Sequence, residues 1–478
     1  LFSISKSPDL VAFFIRRIYG LLKHCGYTGF ITTNSIAQGT TRELGLDWVL
    51  SERGSINFAR PSIPWPGQAN VVISLVALCK RQTSSIYILN NERVSGITGG
   101  LRENLSESTA QTPHKLLSNK SLAFTGTYVN GKGFFLPRAK AKSILTDDPS
   151  LAKFIKPHIN GDDLYDSPSL SGSRMVIDFG EIAQNEAEEH PTVYQIIEEK
   201  VKPVRAKQSD RQNSEKWWMH ARRRPELYSK ISSMHKVIVA ARVSRTCAVA
   251  KIPSDQILDE KLVVFAFDSD AMLCFLQSVF HWEWVWFRST TMKYDISYGV
   301  QRVFETLPLP LLGCNHKSVM DATGCQFDKC RNDLMRQLSV GLTKLYHLFH
   351  DPDLNPERVA KVSGKLADIA EQGYAALLKL RELHVEMDAA VRDAYGWTDL
   401  NLGHNFHDLD YLPENDRTRY TISPAARKEV LQRLLKLNHE RHAEEKAAGL
   451  HDKKAKKKAA KKGGHSRKAD KNQESLEL

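Results

Sequence analysis

The sequence is short of the features that mark membrane, secreted and disulfide-built proteins. No apolar run in its 478 residues reaches the length of a membrane span, and the opening LFSISKSPDL has no signal-peptide pattern. Cysteine is sparse and scattered: of Cys25, Cys79, Cys247, Cys274, Cys314, Cys325 and Cys330, only Cys325 and Cys330 lie close together. No second cysteine or histidine pair stands at finger spacing, so these read as reduced thiols of a cytoplasmic protein and not as a zinc framework. A phosphate-cradling loop is missing too. In TYVNGKGFF (127–135) no helix follows the glycines, and the stretch reads as a hairpin turn. Asp255, Asp259 and Lys261 superficially suggest a nuclease, but a four-residue step is too short to set both carboxylates on facing strands around one metal. His404 and His407 lack a third ligand. The chain also begins with Leu1 where a methionine would stand, and is expected to be a piece of something longer.

Positive charge is in surplus. The formal net charge is +12, and the last 28 residues hold ten Lys/Arg against four Asp/Glu, about half of the excess. Such a tail cannot build a core and is expected to be disordered. It either attracts phosphates without regard to sequence or keeps the protein soluble. The remainder, with 41% hydrophobic and 26% charged residues, is ordinary for a globular chain and long enough for two or three domains.

Residues 1–90 alternate helical and strand patterns: a helix over 8–24, a buried strand over 27–36, a helix over 41–50, and strands over 55–62 and 70–79. This looks like the last quarter of an α/β sheet, and on its own it would expose a sheet edge. Residues 91–311 change texture to short strands with one long charged helix (190–230) and one aromatic-rich helix (269–289), an α+β domain. Residues 312–450 are mostly helical, with Ser423 capping a helix that starts at Pro424. Residues 451–478 are the basic tail. The expected class is therefore α/β plus α+β plus α.

Two stretches could carry binding. In IPWPGQANVVISLVAL (63–78), Pro64 and Pro66 hold Trp65 on a stiff tether ahead of a strand. The residues alone leave open whether Trp65 plugs the sheet end or stacks on something flat. In EKWWMHARRRPELY (215–228), Lys216, Trp218, Arg222, Arg223 and Arg224 interleave cations with aromatics, a pattern that suits a DNA backbone. Helical spacing would put Trp218 and Arg222 on one face and turn Trp217 into the core; a solvated basic face is the plainer alternative. Arg242 and Arg245 add candidates for bidentate guanine contact. Trp282, Trp284 and Trp286 read as mainly core.

These stretches, with SPDLVAFFIRR, GFITTNSIAQGTTRELGL, FIKPHINGDDL, KLVVFAFDSDAMLCFLQS, FETLPLP and RDAYGWTDL, resemble the C-terminal portion of adenine-specific (N6) DNA methyltransferases of fused type II restriction–modification proteins. The resemblance runs to about residue 450. It implies the end of a Rossmann-like methyltransferase sheet, a target-recognition domain and a helical C-terminal region. It implies double-stranded DNA as partner, S-adenosylmethionine as cofactor of the full-length protein, and no membrane. It places Trp65 and Pro66 at the wall that stacks a flipped adenine. It sets Leu10 and Phe13 where they could flank the cofactor's adenine, with core packing as the alternative. The family's glycine-rich cofactor turn and its Asn-Pro-Pro-aromatic motif do not occur; the sole Asn-Pro, Asn355-Pro356, runs into Glu357. Both would lie upstream of Leu1, in a missing methyltransferase or nuclease segment. The chain is then either the incomplete C-terminal part of an enzyme or a DNA-specificity module that works with a partner.

Overall fold

The computed structural model describes residues 8–69, 71–81, 86–104, 112–292, 294–409, 411–412 and 416–451. The basic tail expected at 451–478 lies, apart from His451, outside the described residues. Two compact units emerge, and they do not follow consecutive stretches. The first gathers Leu1–Asn119, Glu283–Leu311 and Asn401–Leu478; the second gathers Lys120–Trp282 and Leu312–Leu400. Of the residues 91–311, 120–282 fall in the second unit and the flanking stretches in the first.

The first unit opens with helix α1 (Leu10–Leu21), strand β1 (Tyr27–Thr33), short helices α2 (Gly39–Leu44) and α3 (Leu46–Ser51), and strands β2 (Ser55–Pro64), β3 (Val72–Cys79), β4 (Tyr87–Leu89) and β5 (Glu92–Val94). The sheet order is β1-β3-β2-β4-β5. β3 pairs antiparallel with both β1 and β2, so β1 and β2 run parallel to each other on either side of it. Hydrogen-bonded on both sides, β3 is mostly buried, which explains its unbroken apolar run VISLVALC. β1 was expected to be buried and is not. It is an edge strand, with Ile31 67% and Tyr27 55% exposed. The helix expected over 41–50 breaks at Gly45 into α2 and α3.

One side chain holds the irregular end of this sheet. The β2–β3 register shifts between Arg60 and Ile63, and Ser62 takes φ +59°, which is costly for a residue with a Cβ. Asn34, just after β1, donates from Nδ2 to Ser62 Oγ (3.0 Å) and accepts at Oδ1 from Ser62 N (3.3 Å) and Ser74 Oγ (2.7 Å). Ser74 is fully buried on β3. The amide therefore joins β1, the bulge of β2 and β3. The same unit carries a hairpin at Asn405–Asp408 and Thr418–Thr421 and the helix Pro424–Ala447, where Ser423 Oγ accepts from Ala426 N as the sequence suggests. Trp284 and Trp286 are buried, the core role expected of them.

The second unit has two four-stranded sheets. Its strands are β6 (Ala123–Thr125), β7 (Phe135–Pro137), β8 (Ile155–Ile159), β9 (Arg174–Ile177), β10 (Lys236–Ala241), β11 (Val243–Ser244), β12 (Val249–Pro253), β13 (Ile257–Leu258) and β14 (Leu262–Phe265). The orders are β12-β10-β14-β6 and β13-β8-β9-β7. The glycines of TYVNGKGFF lead into one turn of 3-10 helix at Lys132–Phe134 and then β7, and no hairpin forms there. The long charged helix expected over 190–230 is four short ones: Pro191–Lys200, Lys202–Arg205, Arg211–Glu215 and Pro225–Ile231. Pro203 and Pro225 sit in first turns, where a missing N–H costs nothing, and Asp210 caps the third piece. The long helices Cys314–Leu338 and Ala367–Ala394 complete the unit; the buried Arg331 Nη1 donates to the Val249 carbonyl (2.7 Å), tying helix to sheet. Among the described residues no helix is long and apolar enough to cross a membrane.

Replacing Asn34 by Ala should destabilise the first unit by about 1–3 kcal/mol, because Ser74 then keeps a buried hydroxyl that has lost its acceptor. Urea unfolding followed by tryptophan fluorescence measures this. A loss below about 0.5 kcal/mol would mean that the bulge holds itself.

Candidate functional site

In the second unit, residues Gly126–Tyr128 thread between the two sheets and gather the basic segments around them. Gly126 N donates to Leu262 O (3.2 Å), Thr127 N to Leu258 O (2.7 Å), and Glu260 N to Thr127 O (2.8 Å). Tyr128 and Arg222 exchange both backbone hydrogen bonds, at 3.0 and 3.1 Å. Thr127 Oγ1 lies 3.0 Å from the Tyr228 hydroxyl and donates to Arg223 O (3.1 Å). A Cβ at Gly126 would collide with the backbone oxygens of Leu258 and Asp259, so only glycine permits this approach. One step on, Arg242 N donates to Lys261 O (2.7 Å). Arg222, Lys261 and Arg242 are thereby carried on one continuous run of paired backbone.

The candidate residues divide into exposed cations and structural ones. Lys216, Arg222 and Arg242 are exposed, with no ion-pair partner among the described residues. Lys261, met in the sequence only as part of a discounted nuclease pattern, joins them with a side chain 62% exposed; its Nζ lies 3.6 Å from an exposed Asp162 carboxylate. Arg245 is half-buried.

Trp218 is a correction. It is 9% exposed, its Nε1 donates to Ile182 O (3.1 Å), and it meets Trp217 edge-on within one core cluster. The helical face shared with Arg222 does not exist, because the helix ends at Glu215. Arg223 is also structural: its guanidinium stands 3.6 Å from Asp178 and 3.4 Å from Glu181. Burial works against the charged form of Asp178. His220, Arg223 and the Gly180 N–H outweigh it and hold the carboxyl below the usual range. Arg224 has φ +61° and turns Nε back to Gly126 O (3.3 Å).

Arg205 was not singled out in the sequence, where KPVRAK looks like a helix surface. It is 1% exposed and donates to Val129 O (2.8 Å), Asn130 O (2.9 Å), Trp217 O (3.2 Å) and Met219 O (2.6 Å). Burial pushes its pKa down to about 10, which leaves it charged. It is the strut that fixes Lys216–Met219 against the 128–130 segment.

In the first unit, Trp65 lies in the connection between β2 and β3, closed by Trp65 N donating to Val71 O (2.9 Å). It is 41% exposed and is not a core plug. Its indole folds over Gly67, where a Cβ would stand 2.5 Å from Nε1, and Pro66 is exposed beside it. Leu10 is 69% exposed, against the core packing held open for it, and Phe13 is half-buried. Phe14 and Leu21 are exposed on the same helix. Leu10 and Phe13 offer only an apolar face, so these residues do not by themselves make a cofactor site.

Residues 107–311 match the family model described as "MmeI, target recognition domain". No curated protein matches the chain. Among solved structures, the fold is similar to that of the type IIL restriction–modification enzyme MmeI in complex with DNA, with a TM-score of 0.68 at 17% sequence identity. The likeness covers 91% of this chain and 52% of that one, so this chain spans about half the length of MmeI. A weaker likeness, to the type IIG restriction endonuclease BpuSI, has a TM-score of 0.26 at 13% identity over 80% of this chain and 49% of that one.

Trp218→Ala should lower the stability of the second unit by about 3–5 kcal/mol, as emptied core sites do. Arg222→Ala should stay within about 0.5 kcal/mol of the parent. Chemical denaturation of both variants checks the division between core and surface, and the reverse order would overturn it.

Proposed function

We propose that this chain carries the DNA-specificity portion of a restriction–modification protein, binding duplex DNA and setting the sequence on which adenine-N6 methyltransfer from S-adenosylmethionine takes place. The observation that carries this reading is the match of residues 107–311 to a target-recognition domain. The surface agrees with it. Lys216, Arg222, Arg242 and Lys261 are exposed cations on hydrogen-bonded backbone, and Arg205 fixes the Lys216–Met219 stretch from behind. Fixed cations of this kind set a protein's register along phosphates, and an arginine among them can read guanine in the major groove.

The first unit supports the methyltransferase half of the reading. Parallel β1 and β2 with antiparallel β3 between them suit the end of a larger sheet. The exposed β1 edge, with Leu10, Phe14 and Leu21 on α1, is surface that a further segment would cover. That segment, upstream or on a partner, would bring the cofactor turn and the catalytic motif. This chain's part is then to stack a flipped adenine on Trp65 beside Pro66, a contact worth about 1–3 kcal/mol by analogy with single-strand platforms.

DNA binding by this chain should weaken with salt, and Lys216→Ala, Arg222→Ala and Arg242→Ala should each reduce the slope of log K against log salt by about 1. Slopes unchanged in all three variants would remove this surface from the interface. Trp65→Ala should weaken binding to a duplex holding adenine opposite an abasic site by about tenfold, with a smaller change on intact duplex. Equal loss on both, together with lower stability, would make Trp65 a packing residue. No labelled methyl group should pass from S-adenosylmethionine to DNA with this chain alone; incorporation would show the catalytic machinery to be complete here.

A further inference from the structure

The C-terminal helix Pro424–Ala447 presents Asn438, His442 and Glu445 at steps of four and three residues, which line up on one face. That face is docked on the segment His114–Asn119 of the same unit. Asn438 accepts from His114 N (2.8 Å) and donates to His114 O (2.8 Å) and Thr306 O (2.7 Å). The His114 ring lies flat on the His442 ring, with centroids 4.1 Å apart and planes 16° apart. Glu445 receives Leu117 N (3.0 Å) and Ser118 N (3.1 Å) on its two oxygens, so its carboxylate is held in place by the backbone. The chain then turns at Gly449 and brings His451 back, Nε2 2.9 Å from Glu445 Oε2 and edge-on to His442 at 4.6 Å.

Nothing in this packing explains the histidine nitrogens left over. His442 Nδ1 is buried and has no hydrogen-bond partner among the described residues, and the same holds for Nε2 of neighbouring His439. A buried polar atom without a partner is costly, and such an atom commonly marks a missing water or ion. One ligand atom from each of His442, Glu445 and His451 lies within 4.8 Å of the others. Ligands about 2.0–2.2 Å from a tetrahedral zinc stand roughly 3.3 Å apart, within reach of small side-chain rotations. Glu445 is mostly buried, its side chain 11% exposed, and His451 is 28% exposed, so the place is sheltered yet open to an entering ion. Two imidazoles and a carboxylate are the donors that borderline divalent ions take, and they suit neither calcium nor magnesium.

We propose that His442, Glu445 and His451 bind a single zinc-class divalent ion, with solvent in the fourth position, and that this ion clasps the turn after the C-terminal helix back onto the helix face that docks on the 114–119 segment. The backbone bonds to Glu445 act as the outer shell that orients a ligand. The role is structural: the ion fixes the turn at Gly449 and the place where His451 leaves the helix. It is independent of the DNA-binding reading.

The test uses the full chain, stripped with chelator and titrated with zinc chloride against a competing dye. One tight equivalent is expected, with X-ray absorption showing nitrogen and oxygen neighbours, imidazole scattering and no sulfur. The thermal transition should rise on zinc addition. A His442→Ala/His451→Ala variant, with an unchanged circular dichroism spectrum, should bind at least about 100-fold more weakly. Absence of a tight equivalent in the parent chain would overturn the proposal, as would sulfur in the first shell, pointing to Cys325 or Cys330. Undiminished uptake by the double variant would do the same. The parent-chain absorption experiment stands even if the variant fails to fold.

Discussion

Backbone meets backbone at Gly126 with no room for a side chain, and the second unit is organised around that contact. Because Gly126–Tyr128 can lie this close to Leu258–Glu260, two sheets that share no strand are joined by hydrogen bonds rather than by side-chain packing alone. Tyr128 of the same segment pairs with Arg222, and the run of paired backbone continues through Lys261 to Arg242. Cations far apart in the chain are therefore held by backbone, the stiffest support a protein has. Arg205 adds a second support, four carbonyls gathered on one buried guanidinium. Burying that charge is tolerable because these carbonyl acceptors replace the hydration it loses.

How much of this was legible in the sequence depends on the range of the signal. Local signals held: the Ser423-Pro424 helix start, the apolar run of β3, and the buried Trp284 and Trp286 were all readable, since each depends on neighbours a few residues away. Errors came where a local pattern was extended too far. The charged stretch 190–230 has helical composition throughout, yet Pro203, Asp210 and Pro225 restart it three times, and with the helix went the face that was to join Trp218 to Arg222. Arg223 and Arg224 look identical to Arg222 in sequence. Only the fold shows Arg223 beside Asp178 and Arg224 turned to Gly126, leaving Arg222 outward.

The first unit shows the same limit from the other side. Trp65 was legible as tethered, because prolines act on their own neighbours. Its exposure was not, since that depends on where the β2–β3 connection lies. The residue that sets that end of the sheet, Asn34, carries no motif of its own; its importance comes from Ser62 and Ser74, distant in sequence and adjacent in the sheet. His442, Glu445 and His451 were likewise invisible, because the docking of one helix on the 114–119 segment brings meaning to an otherwise ordinary charged helix end.

The proposed target recognition requires discrimination among sequences and not merely DNA binding. Selection of bound duplexes from a randomised pool, at a salt concentration that suppresses non-specific binding, measures this directly. Target recognition predicts enrichment of one short consensus containing an adenine, lost when that consensus is scrambled. Recovery of duplexes with no shared sequence, at affinities that follow salt alone, would contradict it.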